Sequence, residues 1–282
     1  MPLPVFEVAC VVVVLLTLAF MARHRPMPDL LTDYGALAVA GWMGEETCVV
    51  IYDFYHYATH WHLRLDRVPI LVPLIWPLVI LSARDVAASV WPSITRLRPL
   101  VVFAIVAFDA SLVEVIAVRA GFWSWAEQGH LGVPIIGILG WGYFAIGADL
   151  ALSGRFTFGE KARLERAIAT IIAAPLMAHA IIQLTWWGFF RWAQRKPLGD
   201  ASLWGLVVIG AGVLALVILA KRRGGAIPMS VALPRMVAAS LFFALLVSTA
   251  PTDVPLWIHT AVVAIPYFAA TDISTRKPAL AN

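Results

Sequence analysis

The chain reads as an all-α, polytopic transmembrane helical bundle of about eight or nine helices with its N-terminus outside. Three observations predict this. Hydrophobic residues make up 61% of the 282 positions and charged residues 13%, with a mean hydropathy of +0.84, whereas soluble domains carry about a quarter charged residues. The apolar residues gather in runs of about 20, the length that a helix rising about 1.5 Å per residue needs to cross the hydrocarbon. The basic residues lie between those runs and favour one side.

The apolar spans run over 4–22, 34–57, 68–91, 99–119, 133–152, 167–190, 202–220, 231–250 and 255–272. The first has no basic residue ahead of it and is followed by Arg23, His24 and Arg25. That is the reverse of a secretory signal and predicts a retained helix. The second carries Glu45, Glu46 and Asp53. The segment Leu65-Asp-Arg-Val-Pro69 leads into the third, with Asp66 capping that helix or pairing with Arg67. Near the end of the third, Arg84 and Asp85 are expected to pair with each other. The fourth carries Asp109 and Glu114, and a Trp- and Gly-rich outer loop from Gly121 to Pro134 follows it. The sixth carries His179 and Gln183. The last three are expected mainly to pack, with Pro251, Pro255 and Pro266 near the final two.

Topology follows from Lys and Arg. One side holds Arg23, Arg25, Arg96, Arg98, Arg155, Lys161, Arg163, Arg166, Lys221, Arg222, Arg223, Arg276 and Lys277. The other holds Arg64, Arg67, Arg119, Arg191, Arg195 and Lys196. Thirteen against six puts the first set in the cytoplasm. The whole chain is expected to form one integral membrane domain, with 34–145 as its catalytic core and 155–282 as additional helices. Cys10 and Cys48 both lie in apolar runs without a metal-binding spacing, which argues against a disulfide framework or a zinc knuckle. The net charge of +4 is spread between spans and makes no case for nucleic acid. A Rossmann or P-loop motif is absent from the sequence, and no cofactor is implied.

An ionisable residue inside a span is a functional-site hypothesis by default. Glu45, Asp109 and His179 each lie about 15–18 Å along their helices, with Glu114 a little further, which predicts one shared cavity near the bilayer middle. Glu45, Tyr52 and His56 share a helical stripe, and Glu46 and Asp53 a neighbouring one. A carboxyl group in a dry cavity keeps its proton more readily and can serve as a general acid. The blander reading is that these groups hold helices together by hydrogen bonds. His56, His60 and His62 invite a metal reading, since His-x-x-x-His sets two imidazoles on one helix face. However, His24, His130, His179 and His259 are scattered singly. In the outer loop, Trp123 and Trp125 are either an interfacial belt or a lid offering π faces to a cation.

Two stretches resemble the bacterial carotenoid biosynthesis protein family, which includes membrane hydratases acting on acyclic carotenoid ends. The first is Gly44-Glu45, then Tyr55 and Tyr57, then Val68-Pro69 running into Leu74-Ile75-Trp76. The second is Leu112-Val-Glu114 through Gly121-Phe-Trp-Ser-Trp125 to Gly132-Val-Pro134 and Gly140-Trp141. The resemblance covers roughly 40–145. Val115 stands where the family has proline after its glutamate. The pair Glu45-Glu46 is also similar to the acidic pair of the small membrane lycopene cyclases.

The resemblance implies an isoprenoid-modifying enzyme of the bacterial inner membrane. It would protonate a terminal C=C bond of a lipid-soluble polyene and let water capture the cation, alongside other pigment-biosynthesis enzymes. Glu45 and Glu114 are the expected catalytic pair, with Asp109 or Glu46 in support and Tyr52, Trp76, Trp123, Trp125 and His179 around the substrate. Three alternatives stay open: a cyclase sharing the protonation step, a non-catalytic transporter or assembly subunit, and a His-box oxidase or desaturase.

Overall fold

Each apolar run folds as a helix because a backbone in hydrocarbon must satisfy its own polar groups. A computed structural model of the chain describes residues 1–156, 162–193 and 200–272. Its helices are α1 (Leu3–Met21), α2 (Met27–Glu46), α3 (Leu71–Val90), α4 (Arg98–Arg119), α5 (Ile135–Leu152), α6 (Ala162–Ile182), the single turn α7 (Arg191–Ala193), α8 (Asp200–Arg222), α9 (Met229–Thr249) and α10 (Val254–Ala270). Two of them continue as wider π-helical turns, α2 over Thr47–Ile51 and α6 over Gln183–Phe190. Six short strands make three two-stranded ribbons: β1 (Tyr55–Tyr57) with β4 (Trp123–Trp125), β2 (Arg64–Leu65) with β3 (Val68–Pro69), and β5 (Ile227–Pro228) with β6 (Thr271–Asp272).

Seven described segments are long and apolar enough to cross a bilayer: α1, α3, α4, α5, α6 with its π continuation, α8 and α9. The all-α polytopic bundle read from the sequence is therefore what the chain forms. Helix α2 is 20 residues long, but Asp29, Asp33, Glu45 and Glu46 dilute its apolar character. Helix α10 has 17 residues. Of the residues in the charge tally, Lys161, Arg195, Lys196, Arg276 and Lys277 lie outside the described residues.

Packing closes a ring. Helix α2 contacts α3 and α6, α4 contacts α3 and α5, and α5 contacts α6. Outside this five-helix ring, α1 and α9 pack on each other and on α3, α9 also touches α4, and α10 lies against α4 and α8. The largest apolar core sits inside the ring around Trp76, Phe144, Ile80 and Leu81.

Three local expectations change. The second span ends earlier, because the chain leaves its π turn at Tyr52 and becomes a strand at Tyr55. Tyr52 and His56 are thus not on a helical stripe with Glu45. Asp66 does not cap α3. It occupies the turn of the β2–β3 hairpin, pairing Leu65 with Val68, at φ +54°, where a two-residue hairpin loop needs a left-handed residue. Arg84 and Asp85 do not pair with each other, since neighbours on a helix point about 100° apart. Arg84 donates Nε–H to Asp149 at 2.8 Å, and Asp85 accepts from Arg25.

Asp149 is fully buried and also accepts from Arg98 at 3.1 Å. It ties α5 to α3 and α4 through two cations. Replacing it with leucine strands both guanidinium groups. Asp149→Leu should destabilise the fold by about 3 kcal/mol, read as a lower thermal unfolding midpoint of the purified protein in detergent.

Candidate functional site

A cavity of about 230 Å³ lies between the five-helix ring and the outer helices α1 and α9. It brings together Glu45, Asp109, Glu114, Trp76, Trp123, Trp125 and His179. Its wall is apolar except at the few places where those side chains reach it.

Two carboxylates dominate the cavity. Glu45 is 6% exposed and Glu114 is 3% exposed. Each sits in a cage of three donors. Trp76 donates its indole N–H to Glu45 Oε1 at 2.8 Å, and Tyr57 donates its hydroxyl to Oε2 at 2.7 Å. Tyr55 donates a second hydroxyl to the same Oε2. Around Glu114, Trp141 donates to Oε1 at 2.8 Å, while Trp123 and Trp125 donate to Oε2 at 2.9 and 3.2 Å. The cages touch, because the Trp76 and Trp141 rings stack at 3.8 Å between centroids and 18° between planes.

The β1–β4 ribbon explains how four of these donors arrive together. Successive residues in a strand point to opposite faces. Tyr55 and Tyr57 therefore face inward while His56 faces solvent, and Trp123 and Trp125 face inward while Ser124 is exposed. The antiparallel register sets Tyr55 opposite Trp125 and Tyr57 opposite Trp123. Gly121, at φ +74°, turns the chain out of α4 into β4 in a conformation that glycine adopts without strain. The two outer-loop indoles thus roof the cavity rather than form an outward belt. The loop is pinned by Arg191 to Glu127 at 3.1 Å and by the His130 to His259 contact at 3.1 Å. Burial within that loop pushes the His130 imidazole below the usual histidine range.

The other expected residues fall differently. Asp109 lines the cavity but is held by Arg235, whose guanidinium reaches both carboxylate oxygens at 2.6 Å, and by the Tyr267 hydroxyl. Glu46 turns away from the cavity toward Asp66 and Arg67 in the β2–β3 hairpin. The one-residue offset from Glu45 rotates it by about 100°. Tyr52 stacks edge-on against His179, at 5.4 Å, and does not line the cavity. The nitrogens of His179 are buried without a hydrogen-bond partner.

His56, His60 and His62 are exposed and share no helix face, because the chain there is strand and turn. His62 pairs with Glu7 at 2.5 Å and His56 lies 3.4 Å from Asp53. Among the described residues there is no group of three His, Cys, Asp or Glu side chains able to hold a metal ion.

Tyr55, Tyr57 and Trp141, which the sequence offered only within the family-like stretches and with no role, complete the site together with Arg235, which the sequence reading passed over. Tyr-x-Tyr and Trp-x-Trp carry the two-residue period of a strand, which was the available signal. Arg235 is an arginine within an apolar span, the kind of residue that marks an internal site.

Gly137 makes room for the roof. A Cβ there would lie 2.5 Å from Trp125 Cζ2. Gly137→Ala should displace the Trp125 indole from Glu114 and cost about 1–3 kcal/mol. The change should appear as a shifted tryptophan emission spectrum and a lower unfolding midpoint.

Comparison with known proteins fits this geometry to a family. No curated protein matches the chain, and no solved structure does. The sequence profile described as "Carotenoid biosynthesis protein" matches residues 4–208. That range runs beyond 40–145 and takes in the five-helix ring and both carboxylate cages. The chain belongs to the carotenoid biosynthesis protein family.

Proposed function

We propose that the protein is a carotenoid hydratase of the membrane, adding water across a terminal C=C bond of a polyene. The observation that carries this reading is the pair of buried glutamates, each in a three-donor cage, on one apolar cavity. Family membership supports a polyene substrate, and an apolar cavity within membrane helices suits a molecule that dissolves only in lipid. The same reading puts the enzyme in the inner membrane of a bacterium, N-terminus outside, beside other enzymes of pigment synthesis.

The two cages differ in a way that divides the labour. Indole N–H is a donor only, so the three indoles around Glu114 match an ionised carboxylate. A tyrosine hydroxyl donates or accepts, so Tyr55 and Tyr57 serve Glu45 in either protonation state. Glu45 is therefore assigned as the acid. Its O–H bond breaks as a C–H bond forms at the terminal alkene, leaving a tertiary cation. The faces of Trp76 and Trp141, and of the roof indoles, attract that cation. Glu114 orients a water, whose oxygen bonds to the cation while its proton passes to the carboxylate. Return of that proton to Glu45 closes the cycle, and the net change is one water added.

Expression in bacteria that accumulate lycopene, followed by mass analysis of the pigments, tests the reaction. A gain of one or two waters supports a hydratase, and an isomer of unchanged mass would instead indicate the cyclase that shares the first step. Glu45→Gln keeps the shape and removes the proton, and Glu114→Gln turns an amide donor toward at least one of the three indole donors. Each should lower product formation by about 100-fold or more. Wild-type yields from both variants would sink the assignment.

A further inference from the structure

A reaction that adds water inside a membrane bundle must be supplied with water, one molecule for each product. We propose that a second, polar cavity at the end of the bundle bearing the Arg23–Pro26 turn is the water inlet of the site, and that Ser82 and Arg235 form the junction through which water passes. The proposal rests on the hydratase reading for its purpose, though the junction itself is a structural claim.

The second cavity measures about 370 Å³ and lies between α1, α3 and α9. Its lining includes His24, Arg25, Asp85, Ser89 and Ser230. A cavity holds ordered water when it is polar and offers more than about 10–15 Å³ of room, and this one satisfies both conditions. The wall of the main cavity is mostly apolar away from its carboxylates, His179 and Arg235, so water has few polar places to enter it.

The two cavities share two residues, Ser82 of α3 and Pro234 of α9. On the main-cavity side of that shared wall, Arg235 donates to Ser82 Oγ at 2.8 Å and to Asp109 at 2.6 Å. The two cavities thus meet at Ser82 and Pro234, where Ser82 and its partner Arg235 make one edge of the shared wall polar. Proline at 234 cannot donate a backbone hydrogen bond within α9, which leaves the carbonyl of Ser230, a residue lining the second cavity, without its usual helical partner. On the far side, Arg25 and Asp85 pair across the inlet. Asp109 and Glu114 are five residues apart on α4, about 7.5 Å along the axis. Water passing the junction therefore has at least about 7.5 Å to travel through the cavity to reach Glu114.

This assigns Asp109 and Arg235 to delivery rather than to proton transfer. Their mutual pairing leaves neither free to act as an acid, while both present polar edges that water can hydrogen-bond on its way in.

The test uses full-length protein in lipid nanodiscs with Cys10 and Cys48 replaced by alanine. Single cysteines are placed at Ser82, at Ser89 as a positive control, and at Leu216, which faces outward, as a lipid-facing control. A charged, water-soluble methanethiosulfonate reacts only where water reaches the thiol. The expected result is modification of Ser82→Cys and Ser89→Cys with Leu216→Cys unreactive. In lycopene-accumulating cells, Ser82→Leu should lose most of its hydration product while purified protein still retains bound polyene. An unreactive Ser82→Cys beside a reactive Ser89→Cys would overturn the inlet, as would undiminished hydration by Ser82→Leu. If the wild-type protein adds no water to any polyene, the hydratase reading fails, and the labelling alone still decides whether the junction is wet.

Discussion

Everything in the site depends on the need of a buried carboxyl group for hydrogen-bond donors. Removing a carboxylate from water without partners costs several kcal/mol. Inside the helical ring that cost falls on Glu45 and Glu114, and six side chains meet it. Two of the donors, Trp76 and Trp141, come from helices and stack on each other. The other four come from the β1–β4 ribbon, which a bundle of helices alone would not contain. The ribbon in turn requires the π turn that ends α2, the left-handed Gly121 and the bare backbone of Gly137.

Among the described acids that line or brace the bundle, two ways of being held stand apart. Asp149, Asp33, Asp85 and Asp109 are paired with arginines. Those pairs join α5 to α3 and α4, α6 to α2, the α1–α2 turn to α3, and α9 to α4. Glu45 and Glu114 are held only by neutral donors. A salt-bridged carboxylate is fixed in its ionised form by a full positive charge, whereas a neutral cage leaves the proton free to come and go. That distinction separates Asp109 from the two glutamates, although all three line one cavity.

The spans were legible in the sequence because hydrocarbon imposes a length and a composition on any helix that crosses it. Glu45, Asp109, Glu114 and His179 do line one cavity, although Glu45 stands at the end of α2 and not about 15–18 Å along it. What the helical period concealed was the end of α2. Tyr52 through Tyr57 is apolar enough to continue a span, and a helix reading then placed His56 beside Glu45. The strand period instead turns His56 outward and both tyrosines inward. The same one-residue sensitivity decides Glu46, which a single step of helix rotation takes out of the cavity. Arg84 and Asp85 show the general limit, since adjacency in sequence is divergence on a helix and partners come from other elements.

The family profile ends at residue 208, yet the cavity does not. Helix α9 supplies Pro234, Arg235 and Phe242 to its wall. Asp109 lies within the matched region, and its arginine partner lies outside it. Without Arg235, Asp109 would be a carboxylate facing an apolar chamber with Tyr267 of α10 as its remaining partner, and Tyr267 also lies beyond the match. The charge of Asp109 and the presence of α9 and α10 are thus one arrangement. A ring of five helices would enclose the two glutamates, but the polar wall beside Ser82 exists only when the later helices pack on α3 and α4.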